Sequence, residues 1–65
     1  MKRVRLIAAL EANGCRSIRN KGDHEVYGCP CGQHQTPVPR HRKVAPGTVN
    51  SIEKQIACLP KGWLQ

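Results

Sequence analysis

Two stretches with helical periodicity bracket a middle region that glycine or proline interrupts every few residues, and this layout limits what the chain can fold into. In the first stretch Leu6, Ile7 and Leu10 mark one face, Val4 lies close by, and Ala8, Ala9 and Ala12 add helix propensity. Gly14 follows Asn13 where a left-handed residue closes a helix, so the expected element runs from Lys2 to Asn13. In the second stretch Val49, Ile52, Ile56 and Leu59 fall on one stripe. Pro46, Gly47 and Thr48 announce its start, with Thr48 as the expected N-cap, and Pro60 stops it.

Between these stretches only short extended segments fit. Cys15 to Asn20 has Ile18 as its one strongly apolar residue, and the Lys21-Gly22-Asp23 turn then leads into His24 to Tyr27. Gly28 to Gly32 is dense in turn formers, and Gln33 to Val38 reads as a third strand. Pro37 and Pro39 lack the N–H that a central strand must donate, which puts this strand at an edge. The order is helix, three strands, helix. The expected class is α+β: a three-stranded antiparallel sheet with both helices on one face and the other face left to solvent or ligand. The expected core is Val4, Leu6, Ile7, Leu10, Ile18, Val26, Val38, Val49, Ile52 and Ile56. This α-β-β-β-α order is the layout of the double-stranded-RNA-binding fold. At 65 residues the chain is expected to be a single domain, residues 1–65, with 60–65 as a tail whose Trp63 and Leu64 either fold back on the core or await a partner.

Charge narrows the function. Eleven Lys and Arg against four Asp and Glu give a net +7, with a pI near 9.8. A positive charge this dense on so small a surface favours a polyanionic partner, nucleic acid first. No apolar run approaches the ~20 residues of a spanning helix, and so short a chain cannot enclose the deep pocket of a large enzyme. The apolar run from Leu6 to Leu10 ends at Glu11, too short for a secretory h-region. The expected location is therefore the cytoplasm. Lys2, Arg3 and Arg5 crowd the helix N-terminus, the wrong end for cations, so their placement does not serve helix stability.

Cys15, Cys29, Cys31 and Cys58 form an even set, but without an export signal a reducing compartment favours free thiols. Zinc would draw on Cys29, Cys31 and His34. Structural zinc sites usually pair their ligands as C-x2-C, whereas this pair is C-x-C, and a fourth ligand must come from Cys15 or Cys58, both distant in sequence. The expectation is no metal and no cofactor. On that reading Cys29 and Cys31 flank a hairpin turn, and Cys15 and Cys58 are small buried hydrophobes.

No phosphate-loop, zinc-protease or nucleophile-elbow element occurs. Four scattered acids do not make the carboxylate cluster that a two-metal nuclease needs. Of His24, His34 and His41, His24 is the best placed, directly after a Gly-Asp turn at a strand start and near Lys21. Imidazole exchanges protons near neutrality. Metal-free RNA cleavage asks for a base on the 2′-OH and cations to stabilise the phosphorane. A lone histidine is, however, more often a surface or packing residue. The expected RNA contacts are Lys2, Arg3, Arg5, Lys21, Arg40, His41, Arg42 and Lys43.

Asn13-Gly14, Lys21-Gly22 with His24 and Tyr27, Pro30 with Gly32, Val38 to His41, and Gly47 to Gln55 form an ordered set that resembles the HicA-type toxins, the small RNA-cleaving half of HicAB toxin–antitoxin modules. That family opens with a helix ending in N-G, as Asn13-Gly14 do here. It continues with K-G-S-H and an aromatic three residues after the histidine, matched by Lys21, Gly22, His24 and Tyr27. A Pro-x-Gly turn is matched by Pro30 and Gly32, and V-P-R-H by Val38 to His41. The G-T-x-x-S-I-x-K-Q stretch is matched by Gly47, Thr48, Ser51, Ile52, Lys54 and Gln55. The resemblance spans about residues 4–59. It implies a double-stranded-RNA-binding-like fold and the toxin of a type II module. It also implies ribosome-independent cleavage of mRNA with His24 catalytic, and a HicB-type antitoxin as partner in a hetero-oligomer; the missing carboxylate cluster makes the expected cleavage metal-independent. The chain departs from the pattern at Asp23, where serine is usual, in a slightly shorter loop after His41, and in Cys29, Cys31 and the Trp63 tail. The alternative is a non-catalytic RNA-binding module on the same fold. A third reading, a small zinc-binding adaptor, requires metal in the purified protein.

Overall fold

Leu10, Glu11, Gly14 and Cys15 end the first helix through two backbone bonds that only a left-handed residue permits. Gly14 has φ +86°, its N–H donates to the Glu11 carbonyl at 3.0 Å, and the Cys15 N–H donates to the Leu10 carbonyl at 2.9 Å. This is a Schellman motif, and it turns the chain sharply out of α1, Arg3–Ala12. The structure, a computed structural model, describes residues 1–59 and 62–64. The remaining elements are β1 (Arg16–Lys21), β2 (His24–Gly28), β3 (Gln35–Pro39) and α2 (Pro46–Gln55), the order expected from the sequence.

The sheet is antiparallel with order β1-β2-β3. Register pairs Tyr27 with Ser17 and Thr36, and Glu25 with Asn20 and Val38. Paired residues share a face, and alternate residues take opposite faces. Tyr27, Thr36 and Val38 therefore look toward the helices. Tyr27 and Val38 join Leu6, Leu10, Cys15, Cys29, Val44, Ile52 and Ile56 in one buried cluster, with Ile7, Val49, Leu59, Trp63 and Leu64 packed against it. Both helices thus cover a single face of an open sheet, and Trp63 and Leu64 fold back on the core.

Two expected core residues are exposed, and a third, Val26, is buried on the other face of the sheet. Val4 is 76% exposed and Ile18 is 52% exposed. Ile18 sits where the β1–β2 register shifts between Ser17 and Arg19, a bulge that leaves it without an opposite partner. Val4 lies off the Leu6–Leu10 face of the helix. In their place the fold buries Thr36, whose Oγ1 donates to Gln55 Oε1 at 2.6 Å and so pins α2 to β3.

The start and end of α2 also differ from the sequence reading. Ala45 is the N-cap, without a side-chain hydrogen bond, and Pro46 takes the first helical position, where its missing N–H costs nothing. Thr48 is therefore inside the helix. The last helical residue is Gln55 and Ile56 is the C-cap, so the helix ends ahead of Pro60, which lies outside the described residues. The N-terminus is held by backbone pairing: Val44 N–H donates to the Met1 carbonyl at 2.7 Å, the Met1 ammonium to the Val44 carbonyl at 3.0 Å, and Arg3 N–H to the Arg42 carbonyl at 2.8 Å. That last bond satisfies one of the free N–H groups of α1, which has no side-chain cap. Among the described residues no helix is long and apolar enough to cross a membrane.

Candidate functional site

The two-residue turn Gly22-Asp23 joins β1 to β2 and sets Lys21 opposite His24. Gly22 has φ +58° while Asp23 does not have positive φ, the pattern of a type II′ hairpin turn. His24 is the first residue of β2 and also pairs with Pro39, so its backbone is held between two strands while its side chain is exposed. By register it belongs to the face away from the helices, with Lys21, Arg19, Val26, Pro37 and Pro39. Val26 is buried yet outside the core cluster, as expected of the floor of that second face. Arg16, opposite Gly28, has the same parity.

The face holding His24 is thus an open surface with one imidazole and three strand-borne cations, Arg16, Arg19 and Lys21. Arg16 and Arg19 were not singled out in the sequence. Arg19 shares the regular alternation of Lys21, whereas Arg16 reaches this face only because the bulge at Ile18 shifts its parity. Of the two acids that flank His24 in sequence, Asp23 is exposed in the turn, and Glu25 belongs to the opposite face of the sheet. It accepts hydrogen bonds from Ser17 Oγ at 2.6 Å, from an Arg3 guanidinium nitrogen at 2.8 Å and from Tyr27 Oη at 3.3 Å. The Ser17 hydroxyl first, then Arg3, holds the Glu25 carboxyl below the usual carboxylate range.

The expected RNA-contacting cations fall into separate places. Arg3 works inside the fold, where Nε donates to the Pro39 carbonyl at 2.8 Å and the guanidinium pairs with Glu25. Lys2, Arg3, Arg40, His41, Arg42 and Lys43 line an open groove, and Arg5 with Lys2 and Lys43 lines a second depression beside it. Arg40 belongs to both regions. Its N–H donates to the Asp23 carbonyl at 3.0 Å and its guanidinium to the Asn20 side chain, which fixes the groove against the hairpin that presents His24.

At the other end of β2 the cysteines gather. Cys15 is buried, as expected. Cys58 is not a buried hydrophobe: it is exposed and forms a disulfide with Cys29, so these two are not free thiols. Cys31 Sγ lies 2.7 Å from Cys29 Sγ and 3.1 Å from His34 Nδ1. The Gln33 N–H, donating to its sulfur, is the main reason the exposed Cys31 thiol sits below the ordinary thiol range. One potential ligand atom from each of Cys29, Cys31, His34 and Cys58 lies within 4.8 Å of the others.

No curated protein and no solved structure matches the chain significantly. A family model described as the HicA toxin of bacterial toxin–antitoxin systems matches residues 4–57. The match covers both helices and the whole sheet with its His24 hairpin, and on that ground the chain belongs to the HicA toxin family.

Proposed function

We propose that this chain is an endoribonuclease toxin in which His24 removes the 2′-OH proton of an mRNA substrate. The observation that carries this reading is the position of His24: exposed, on a backbone held by two neighbouring strands, and opposite Lys21. A base must be positioned firmly and still reach substrate, and a residue at the mouth of a hairpin meets both needs. Deprotonation lets the 2′-oxygen attack the adjacent phosphorus. Charge then builds on the non-bridging oxygens, where Lys21, Arg19 and the Arg40 region supply compensating cations. The reaction so drawn uses no metal at the reacting atoms.

RNA would lie across the cationic sheet face and reach the groove formed by Lys2 and residues 40–43. Phosphate contacts of this kind position a strand without reading its sequence. A HicB-type antitoxin would neutralise the toxin in a hetero-oligomer by covering this basic surface, with opposite charge speeding capture.

His24→Ala tests the reading. Loss of a general base lowers the cleavage rate by ~10²–10⁴-fold. The exposed side chain leaves little volume behind, so stability moves by about 1 kcal/mol or less. RNA affinity, measured in parallel, stays near wild type. Products carry 2′,3′-cyclic or 3′-phosphate ends, and RNA with a 2′-deoxy sugar at the cut resists. A folded His24→Ala protein that cuts at the wild-type rate overturns the mechanism. If wild-type protein binds RNA but cuts none and leaves cells healthy when expressed alone, the chain is a non-catalytic RNA-binding module.

A further inference from the structure

The loop between β2 and β3 and the segment after α2 are far apart in sequence, yet they meet in a cluster that the RNA-cleaving site does not use. We propose that Cys29, Cys31, His34 and Cys58, when reduced, bind one structural Zn²⁺ that clips the end of α2 to the β2–β3 loop. Three thiolates and one imidazole are a standard structural zinc set. Their donor atoms lie within 4.8 Å of one another. A tetrahedral site with Zn–S near 2.3 Å separates its sulfurs by about 3.8 Å, so the Cys29 and Cys31 sulfurs, 2.7 Å apart, part by about 1.1 Å and the bonded Cys29 and Cys58 sulfurs by more.

The loop is folded as a ligand loop. Cys29 N–H donates to the His34 carbonyl at 2.9 Å, which closes the loop, and Gly32 N–H donates to the Cys29 carbonyl at 3.0 Å. Gly32 has φ +76° and allows the reversal. Two further N–H groups point at sulfur, Cys31 N–H toward Cys29 Sγ at 3.4 Å and Gln33 N–H toward Cys31 Sγ at 3.5 Å. Donors aimed at sulfur favour thiolates and orient them, the outer-shell support that metal ligands normally receive. A pairwise disulfide accounts for only two of the four residues. It leaves Cys31 and His34 crowded against the bond without a role, and the Cys29 and Cys58 Cα atoms are 7.3 Å apart, beyond the span of about 4.4–6.8 Å usual for a disulfide.

The chemistry balances. Two equivalents of a small thiol reductant convert the Cys29–Cys58 disulfide to two protein thiols and are themselves oxidised to their disulfide. Zn²⁺ then replaces the protons of three thiols, releasing three H⁺ to solvent, while neutral His34 supplies a nitrogen lone pair. The zinc centre so formed carries one net negative charge. It sits roughly 16 Å from His24 along β2, at ~3.3 Å per residue, so its role is to hold the fold rather than to take part in cleavage.

The test uses the full chain, purified under thiol reductant with zinc present. Elemental analysis is expected to find about one zinc per chain, and Co²⁺ in its place to give the visible bands and sulfur-to-cobalt charge transfer of a tetrahedral thiolate site. A chelator is expected to lower Tm by roughly 10–20 °C, the shift for a ligand held at about a hundred times its Kd on a domain of this size. Cys31→Ser and His34→Ala change exposed or half-buried side chains, so these variants fold, and they are expected to lose the metal. Cys15→Ser keeps it. Reduced, folded wild-type protein without metal and without a cobalt spectrum overturns the proposal. So does a protein whose Cys31→Ser variant binds zinc as well as wild type, because a two-cysteine site would then be enough.

Discussion

Arg3→Ala separates a cation that holds the fold from one that meets RNA. The Arg3 side chain spans from α1 to the sheet, donating to the Pro39 carbonyl and to Glu25, each at 2.8 Å. Both partners of the ion pair are about one-fifth exposed, 23% for Arg3 and 20% for Glu25. Hydrogen bonds to charged groups contribute about 1.5–3 kcal/mol when well shielded, and exposed pairs less than 1 kcal/mol. Two short bonds at intermediate exposure therefore add up to ~2 kcal/mol. For a domain of this size that lowers Tm by roughly 8–16 °C. Urea unfolding followed by circular dichroism measures the loss, and a double-mutant cycle with Glu25→Gln is expected to assign about 1 kcal/mol to the pair itself. Glu25 has a folded pKa below its unfolded value. Its contribution is therefore complete above the unfolded carboxylate pKa of about 4.3 and disappears as pH falls through the lower folded value. The stability gap between wild type and Glu25→Gln is expected to be flat near neutrality and to close in acid. RNA affinity of the folded Arg3→Ala protein stays within a few-fold of wild type. A stability loss under ~0.5 kcal/mol, or a coupling of zero, refutes the clasp.

Gly14→Ala forces a side chain into the left-handed region with its Cβ 2.8 Å from Pro30 Cγ, whereas Gly22→Ala meets nothing within 4 Å; chemical denaturation is expected to show a cost of about 2 kcal/mol or more for the first and about 1 kcal/mol for the second. RNA binding is expected to weaken steeply with salt, and Arg19→Ala with Lys21→Ala to reduce the slope of log affinity against log salt by about 2, as read by fluorescence anisotropy. Burial, and to a smaller extent the nearby Cys31, raises the Cys15 thiol above its ordinary range. Iodoacetamide at mildly alkaline pH is therefore expected to leave Cys15 unmodified until the chain is denatured, with mass spectrometry reporting the site.

The element order was legible because the signals that set it are local. Asn13-Gly14 closes a helix, Gly22-Asp23 turns a hairpin, and the Leu6–Leu10 and Val49–Ile56 stripes each need one apolar partner. What was not legible depends on contacts across the chain. Ile18 has the composition of a core residue, but a one-residue bulge leaves it exposed and carries Arg16 to the face that Arg19 and Lys21 share with His24. Thr36 reads as a surface residue, and only the Gln55 side chain arriving from α2 satisfies its buried hydroxyl. Arg3 looks like one more loose cation until Glu25 and Pro39 come within reach. Likewise, C-x-C followed by His34 is an incomplete ligand set in sequence, and Cys58 joins it only once α2 has packed.

The two borders of the sheet bear on how this protein behaves at high concentration and in company. On the β3 side alternate residues turn their N–H outward, and of Gln35, Pro37 and Pro39 both prolines lack one, so an incoming strand finds donors missing at two of three positions. On the β1 side the bulge bends the backbone, and Arg16, Arg19 and Lys21 repel a second copy. Neither border can template the growth of a continuous intermolecular sheet. A partner that relied on adding a strand would gain few main-chain bonds, and selection among partners falls to side chains on the broad faces. The same blunting is expected to limit edge-to-edge growth of a sheet whose second face no helix covers.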